Sequence, residues 1–349
     1  MGKTTKSNGQ KDILDGNIKL SNDVNKTQHF TTKSVLICNN LIQYIPSTAK
    51  LIEPFVGNGD LLSLFPSNSW EKYDIDIQDN MLDVIQQDTL ENPPVYTNKW
   101  VITNPPYLAK NKAQNNYLYN KYGLDDLYKI AIKTIIGCEG GILIIPTNFF
   151  CDDGSALIRK EFLSKYIVEE LNVYTEPIFD TTTYSICAFA FKRRDNIEQD
   201  IKVNIYPINN TININIKKQY NYRFGGELFD TLASIVPKFG RLQLNRPING
   251  YITHLYITTI DKRNERLKLD YVSTPYYGKS TDRTVATLTC TELLTKEQEN
   301  KLINLFNTEI NQFRDSYGNL VFTNYRDYNR KRIEFEFVYK YLTYLLDKI

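Results

Sequence analysis

The sequence predicts an α/β fold, with an open, mostly parallel sheet carrying helices on both faces, followed by a smaller mixed α+β carboxyl-terminal domain. Three observations lead there. Leu51-Ile52-Glu53 is a short apolar run that enters a glycine turn, Pro54-Phe55-Val56-Gly57-Asn58-Gly59-Asp60. Tyr73-Asp74-Ile75-Asp76 and Val84-Ile85-Gln86-Gln87-Asp88 each end an apolar stretch in an acid. Trp100-Val101-Ile102-Thr103 then runs into Asn104-Pro105-Pro106-Tyr107. Short apolar runs bounded by turn residues read as buried strands, and an open α/β sheet holds its ligands in the crevice outside the carboxyl ends of its strands.

Each element follows in order. Residues 1–25, rich in Lys, Asn, Asp and Gly, are expected to be mobile. Gln28-His29-Phe30-Thr31-Thr32-Lys33 precedes the apolar Val35-Leu36-Ile37. Gly57 and Gly59 let the backbone approach a ligand closely, and Leu61 to Phe65 reads as helical. The dinucleotide fingerprint is excluded, because Gly-x-Gly-x-x-Gly requires glycine where Leu62 stands. Asp74 is the first candidate to accept a pair of sugar hydroxyls, with Asp76 as its neighbour alternative, and Asp88 is a candidate acceptor for an amino group. Asn92-Pro93-Pro94-Val95 lacks both a preceding strand and an aromatic, so it reads as an ordinary loop.

Beyond the tetrapeptide, Asp126 to Ile132 reads as a helix and Gly140 to Phe150 as a strand and its mouth, both plain core. The polar run Lys192 to Asp200 reads as a junction. Ile201, Val203, Ile205 and then Ile212, Ile214, Ile216 alternate as two strands around Asn209-Asn210. Leu293 to Phe313 and Ile333 to Leu346 carry helical patterns. The resulting division is a segment 1–25, a catalytic domain 26–200 and a second domain 201–349.

Charge separates the two domains. Residues 1–200 carry 20 Lys and Arg against 25 Asp and Glu, net −5, and residues 201–349 carry 22 against 15, net +7. A basic domain behind an acidic one suits a partner rich in phosphates. Within it, Tyr276 to Arg283 and Tyr325 to Arg332 mix aromatics, hydroxyls and cations, which makes Lys279, Arg283, Arg326, Arg330, Lys331 and Arg332 candidate nucleic-acid contacts.

Several chemistries drop out. Two histidines, His29 and His254, and five cysteines without Cys-x-x-Cys spacing argue against zinc. No Pro-Cys nucleophile is present for attack on a pyrimidine carbon. The cysteines suggest a reducing compartment, and no apolar run is long enough to span a membrane.

Asn104-Pro105-Pro106-Tyr107 at a strand end resembles the catalytic motif of amino methyltransferases that use S-adenosylmethionine. The order of the whole set is similar to that of DNA adenine-N6 methyltransferases of the gamma arrangement, in which cofactor motifs precede the catalytic one and a target-recognition domain follows. Gln28 to Lys33 resembles the first motif of that family, Phe-Thr-Pro before a helix, with Thr32 at the proline position. These matches span about residues 28–192, roughly half the chain.

The resemblance implies a Rossmann-like methyltransferase sheet and methyl transfer from S-adenosylmethionine to the N6 amino group of an adenine flipped out of double-stranded DNA. The product cofactor is S-adenosylhomocysteine, and no metal takes part. Cofactor contacts carried over are Phe30, Thr31, Glu53, Phe55, Gly57, Gly59, Asp74, Asp88 and Asn104. Asn104, Pro105, Pro106 and Tyr107 carry the catalysis. An exocyclic amino nitrogen is a poor nucleophile, and two acceptors, the Asn104 side chain and the Pro105 carbonyl, localise its lone pair. The two prolines hold that carbonyl rigidly. Tyr107 and Phe191 are expected to stack on the base, worth roughly 1–3 kcal/mol per base, with Phe179 and Tyr184 as alternatives to Phe191. The setting implied is a type II restriction-modification system in a prokaryotic or virus-infected cytoplasm, a cognate endonuclease as functional associate, and a monomer or dimer.

Two rival readings stand beside this one. The acceptor can be an RNA adenine or the glutamine amide of a protein, since these enzymes share the tetrapeptide. The basic second half favours DNA, and protein-modifying cousins usually place their accessory domain first. In a reading of another class, the chain is a DNA-binding specificity subunit without catalysis, against which Asn104 and Tyr107 both count.

Overall fold

The computed structural model describes residues 38–77, 81–179, 185–195, 198–325 and 329–349. Phe30, Thr31, Tyr184 and Arg326 lie outside the described residues.

Nine strands form the main sheet: β1 (Leu51–Glu53), β2 (Trp70–Asp74), β3 (Ile85–Gln86), β4 (Trp100–Thr103), β5 (Gly140–Pro146), β6 (Tyr166–Tyr174), β7 (Ile186–Arg193), β8 (Glu198–Tyr206) and β9 (Asn210–Lys217). Their order is β3-β2-β1-β4-β5-β7-β6-β8-β9. The first five run parallel, and β7 is inserted antiparallel between β5 and β6. This is the Rossmann-like α/β sheet expected from the strand pattern. Strand order reverses between β1 and β4, so the crevice outside their carboxyl ends is the place where such a sheet receives a ligand.

The strands form where the sequence is apolar on both faces. Leu51, Ile52, Val101, Ile102 and Ile142 to Ile145 are all buried, as a sheet covered on both sides requires. Helices α1 (Tyr117–Tyr122), α2 (Leu127–Ile135) and α3 (Ala156–Leu163) follow β4 and β5, with α2 packed on α3 and α3 on β6.

The sheet does not stop at residue 200. Asp200 lies inside β8, which pairs parallel with β6 through Leu171↔Val203, and β9 closes the edge antiparallel to β8. The expected junction therefore falls within a strand. Its cause is the apolar face of Ile201, Val203 and Ile205, fully buried, together with an open β6 edge whose backbone groups need partners.

Downstream, α4 (Gly226–Ala233) leads to a four-stranded antiparallel sheet of β10 (Phe239–Arg241), β11 (Tyr251–Thr258), β12 (Lys268–Tyr271) and β13 (Val285–Cys290) in the order β10-β13-β11-β12. Helix α5 (Lys296–Ser316) packs on β11 and β12. A capping box starts it: Gln298 N donates to Thr295 Oγ1 at 3.2 Å, and Thr295 N donates to Gln298 Oε1 at 2.9 Å. Its stripe of Leu302, Phe306 and Ile310 is completely buried. A short hairpin, β14 (Thr323–Asn324) with β15 (Lys331–Arg332), precedes the terminal helix α6 (Phe335–Leu346).

One contiguous apolar core runs through both halves, from Ile52 and Ile142 through Phe150 and Phe224 to Phe322 and Val338. Phe150 and Phe224 stack with centroids 4.9 Å apart across the divide. The five cysteines are free and buried, and no described helix is long and apolar enough to cross a membrane.

Candidate active site

The site assembles where β1, β2 and β4 end. Glu53, the last residue of β1, is 1% exposed; its Oε1 accepts from Phe55 N at 3.0 Å and from Thr103 Oγ1 at 2.5 Å. It thus ties the end of β1 to the end of β4. Burial pushes its carboxyl up to about 8, against the Thr103 and Phe55 bonds that pull it down.

The turn after β1 is left-handed at Gly57 (φ 51°) and Gly59 (φ 79°), a conformation that favours glycine. Asp74, at the end of β2, holds this turn in place. Its Oδ2 accepts from Gly57 N at 2.7 Å and its Oδ1 from Asp76 N at 2.9 Å, and it is 3% exposed. Burial raises its carboxyl while those amide bonds lower it. Each oxygen of Asp74, expected to accept sugar hydroxyls, thus already accepts one backbone bond in a buried position. Asp76, two residues on, is exposed.

Asp88 is partly exposed and uses Oδ1 to accept from Leu90 N at 3.0 Å and Glu91 N at 3.1 Å. Phe55 packs on a small cluster of Leu90, Leu118, Tyr119, Ile130 and Ala131, which places its half-buried ring beside the glycine turn.

Asn104 follows β4 directly and is partly exposed, Pro105 is buried and Pro106 partly exposed. Tyr107 folds inward. Its hydroxyl lies within hydrogen-bond reach of Asn104 Oδ1 and of the Ile144 carbonyl, the latter at 2.7 Å, with one hydrogen between the two. Its ring stands edge-on to Tyr128, centroids 6.2 Å apart at 85°, and the residue is 7% exposed. The ring that the motif expects to stack on a base is thus mostly enclosed in this structure. The next residues zip onto the start of α2: Leu108 N donates to Asp126 Oδ1 at 3.1 Å, Leu127 N to Leu108 O at 3.2 Å and Lys110 N to Asp125 O at 2.8 Å. Burial pushes the Asp126 carboxyl up to about 7, with Lys129 opposing.

Phe191 is placed at the wrong end of the sheet for a stacking role. Because β7 runs antiparallel, Phe191 pairs with Gly141 at the start of β5, while Ile186 pairs with Pro146 at its end. It is 1% exposed and packs against Phe162, Tyr166 and Phe189. Phe179, in the β6–β7 connection, is at the carboxyl end of β6 and so on the side of the tetrapeptide.

The basic candidates divide. Lys279 and Arg283 are exposed on the loop between β12 and β13. Asp282 shapes that loop, its Oδ2 accepting from Tyr276 OH and Lys279 N, both at 2.7 Å, and Arg241 NH1 donates to the Asp282 carbonyl at 2.5 Å. Arg330 and Arg332 lie 5.9 and 5.7 Å from the Tyr325 ring, and Arg332 pairs with Glu334 at 3.1 Å. Lys331 is corrected: it is 1% exposed, its Nζ donating to Asn329 Oδ1 at 2.8 Å, and burial pushes its ammonium down to about 8. Its backbone N donates to Asp261 Oδ2, the carboxylate that Arg314 grips with two bonds of 2.9 and 2.7 Å.

Asn148, just past β5, carries no role in the sequence reading, yet it docks the β14–β15 hairpin at the carboxyl end of β5. Its Nδ2 donates to Asn324 O at 3.2 Å and its Oδ1 accepts from Asn324 N at 2.8 Å. Ser185 Oγ adds a bond to Asn329 Oδ1 at 3.1 Å. Only the position of Asn148 after a strand end pointed to it. Among the described residues, no group of three or more His, Cys, Asp or Glu is arranged to hold a metal ion.

No protein-family model and no curated protein matches the chain. Solved structures resemble it in part. A Vibrio vulnificus chain described as a modification subunit of a type I restriction enzyme matches with 13% identity and a TM-score of 0.44, over 62% of this chain and 55% of that one. A Listeria monocytogenes chain described as a class I S-adenosylmethionine-dependent methyltransferase matches with 14% identity and a TM-score of 0.41, over 52% and 66%. The type I restriction-modification methyltransferase subunit from Streptococcus thermophilus matches with 12% identity and a TM-score of 0.39, over 51% and 47%. The chain thus spans between 47% and 66% of the lengths of these three.

Proposed function

We propose that the protein is a methyltransferase that transfers a methyl group from S-adenosylmethionine to the N6 amino group of an adenine turned out of duplex DNA. The observation that carries this reading is the placement of Asn104-Pro105 at the end of β4, beside the glycine turn at the end of β1 and at the point where strand order reverses.

The residues present fit the cofactor. The left-handed turn at Gly57 and Gly59 keeps the backbone clear of side chains where a ligand approaches, and a Cβ on Gly59 would meet Met81 Cε at 2.7 Å. Exposed Asp76 is the proposed acceptor for the ribose hydroxyls, in place of Asp74. Asp88 takes the adenine amino group, Phe55 flanks the ring, and Glu53 supports the turn from below. Phe30 and Thr31 stay the proposed contacts for the methionine end. Bound there, S-adenosylmethionine supplies a methyl group made electrophilic by its sulfonium.

Asn104 Oδ1 and the Pro105 carbonyl accept the two amino hydrogens of the target base and turn its nitrogen lone pair towards that methyl. The cofactor would supply the methyl group and depart as S-adenosylhomocysteine, while Asn104 and Pro105 hold the amino nitrogen and its displaced proton would pass to water. No covalent bond to the protein is needed. Tyr107 and Phe179, enclosed to a similar degree at 7% and 5% exposure, are the proposed stacking partners. The DNA-reading part is proposed to begin after Lys217, with Lys279, Arg283, Arg330 and Arg332 on phosphates or base edges, and Arg326 as a further candidate beside them.

Labelled cofactor with duplex DNA, RNA and protein acceptors in competition tests the acceptor. Asn104→Ala should lose about 10²–10³-fold in transfer while calorimetry shows cofactor still bound. Transfer by that variant at the wild-type rate would end this reading.

A further inference from the structure

We infer that Asn148 is a positioning residue, which sets the β14–β15 hairpin and the DNA-contacting side chains proposed on it in register with Asn104. The inference rests on the proposed methyl transfer to duplex DNA.

The hairpin is a strip with one edge on each half of the molecule. On the outer edge of β15, Lys331 N donates to Asp261 Oδ2 at 3.0 Å, and the Lys331 carbonyl accepts from Asp261 N at 2.9 Å. Ile333 N adds a bond to the Thr259 carbonyl at 2.9 Å. Residues 259–261 directly follow β11, and Arg314 grips Asp261, so this edge belongs to the carboxyl-terminal half. The outer edge of β14 meets a side chain of the main sheet's half instead. Asn148 Nδ2 donates to the Asn324 carbonyl at 3.2 Å, and Asn148 Oδ1 accepts from Asn324 N at 2.8 Å. A carboxamide carries a donor and an acceptor side by side, so Asn148 pairs with Asn324 as the backbone of a neighbouring strand would.

Asn148 is itself held. Its carbonyl accepts from Cys151 N at 3.1 Å and Asp152 N at 2.9 Å, and it stands two residues past Pro146, the last residue of β5. β5 lies beside β4 in parallel register, Leu143 opposite Thr103, so the strands leading to Asn148 and Asn104 are neighbours. Single bonds flank the pair: Cys151 Sγ donates to the Phe322 carbonyl at 3.4 Å and Ser185 Oγ to Asn329 Oδ1 at 3.1 Å. The Phe150 and Phe224 stack also joins the halves, but apolar contact is non-directional and does not orient the hairpin. Two bonds to one residue fix both its position and its orientation.

The chemistry gives this link its consequence. A duplex held by Arg330 and Arg332 delivers its adenine to one point, and Asn104 and the Pro105 carbonyl must meet the amino group there. Misplacement by about 1 Å costs on the order of 100-fold in rate. A path of β15, β14, the Asn148 carboxamide, β5 and β4 joins those cations to Asn104 through paired strands and one side chain.

Asn148→Ala separates positioning from folding. Sequencing of modified adenine in plasmid treated with wild type gives the cognate site, and rates are then measured on that duplex and on one with a single base pair changed. Per folded molecule, kcat on the cognate duplex should fall about tenfold to 100-fold, with KM for DNA and cofactor affinity by calorimetry unchanged. The preference for the cognate duplex should narrow, because the altered duplex is already out of register and loses less. A merely structural role lowers the folded fraction in a thermal melt and leaves kcat per folded molecule and the preference as in wild type; that result overturns the inference. Asn148→Asp keeps the acceptor for Asn324 N but turns a second acceptor on the Asn324 carbonyl, so it should act as the alanine variant does, and it carries the test if that variant does not fold. Hydrogen exchange without DNA reads the clamp by itself. The Asn324 amide should exchange about tenfold faster in the variant than in wild type, the worth of one hydrogen bond, and equal rates overturn the inference too. A wild-type protein that methylates no duplex DNA ends the methyltransferase reading instead, and the exchange rates then decide whether Asn148 holds the hairpin.

Discussion

Asp74 Oδ2 accepts the Gly57 amide at 2.7 Å and, beside the Val56 N bond to the Tyr73 carbonyl at 3.0 Å, joins the end of β2 to the turn that follows β1. The acid and the glycine turn, seventeen residues apart in the chain, are thereby one structural unit. A carboxylate buried at 3% exposure is stable there because two backbone N–H groups replace its water.

Breaking that unit should show in stability and in cofactor binding together. Asp74→Ala leaves the Gly57 N–H without its acceptor and is expected to cost roughly 1–3 kcal/mol. Chemical denaturation should report this loss, and calorimetry a weaker affinity for S-adenosylmethionine. Asp76→Asn, by contrast, should weaken cofactor binding with little change in the denaturation midpoint.

The pH dependence of stability should carry the signature of Glu53. Its folded carboxyl is raised to about 8 from an ordinary 4.5, so the folded protein holds a proton that the unfolded chain releases. The contribution is fully present below pH 4.5 and is lost as pH rises towards 8. Glu53→Gln has no proton to lose there, so its stability should decline less than wild type across that window. Asp126, raised to about 7, acts in the same direction in both proteins and cancels in the difference. Parallel curves for the two proteins, from denaturant titrations at several pH values, would refute the assignment.

Two phenylalanines should separate packing from base contact. Phe191→Ala opens a cavity among Phe162, Tyr166 and Phe189 and should cost about 3–5 kcal/mol, while the folded fraction methylates normally. Phe179→Ala should instead lower methyl transfer and the fluorescence of a flipped 2-aminopurine. Melting curves paired with rate measurements on each variant distinguish these outcomes.

Salt dependence of DNA binding should distinguish the exposed cations from the buried one. Each phosphate contact contributes about 0.9 to the slope of log K against log salt. Lys279→Ala and Arg283→Ala should each flatten that slope by about this amount. Lys331→Met should leave it unchanged, since its ammonium is enclosed and bonded to Asn329.

The elements around the site were legible because they depend on local signals. Short apolar runs marked β1, β2, β4 and β5, and the helical pattern of Leu293 to Phe313 marked α5. What escaped depends on distant partners. The burial of Lys331 is fixed by Asp261 and Arg314, 70 and 17 residues away. The choice between Asp74 and Asp76 turns on where β2 ends, a one-residue question that periodicity does not answer. Phe191 was misplaced because an antiparallel strand reverses which end faces the site, and strand direction is not written in alternation. The inward turn of Tyr107 depends on the Ile144 carbonyl, supplied by the neighbouring strand.

The continuation of the main sheet through β8 and β9 bears on how specificity can be exchanged between proteins of this architecture. A chimera spliced at residue 200 would cut a strand and strip the β6 edge, inviting aggregation through its unpaired backbone. A graft point after Lys217 keeps all nine strands with the host. Even there a transplanted reader must bring its own match for Asn148 and Phe150, since the hairpin and Phe224 dock on those residues.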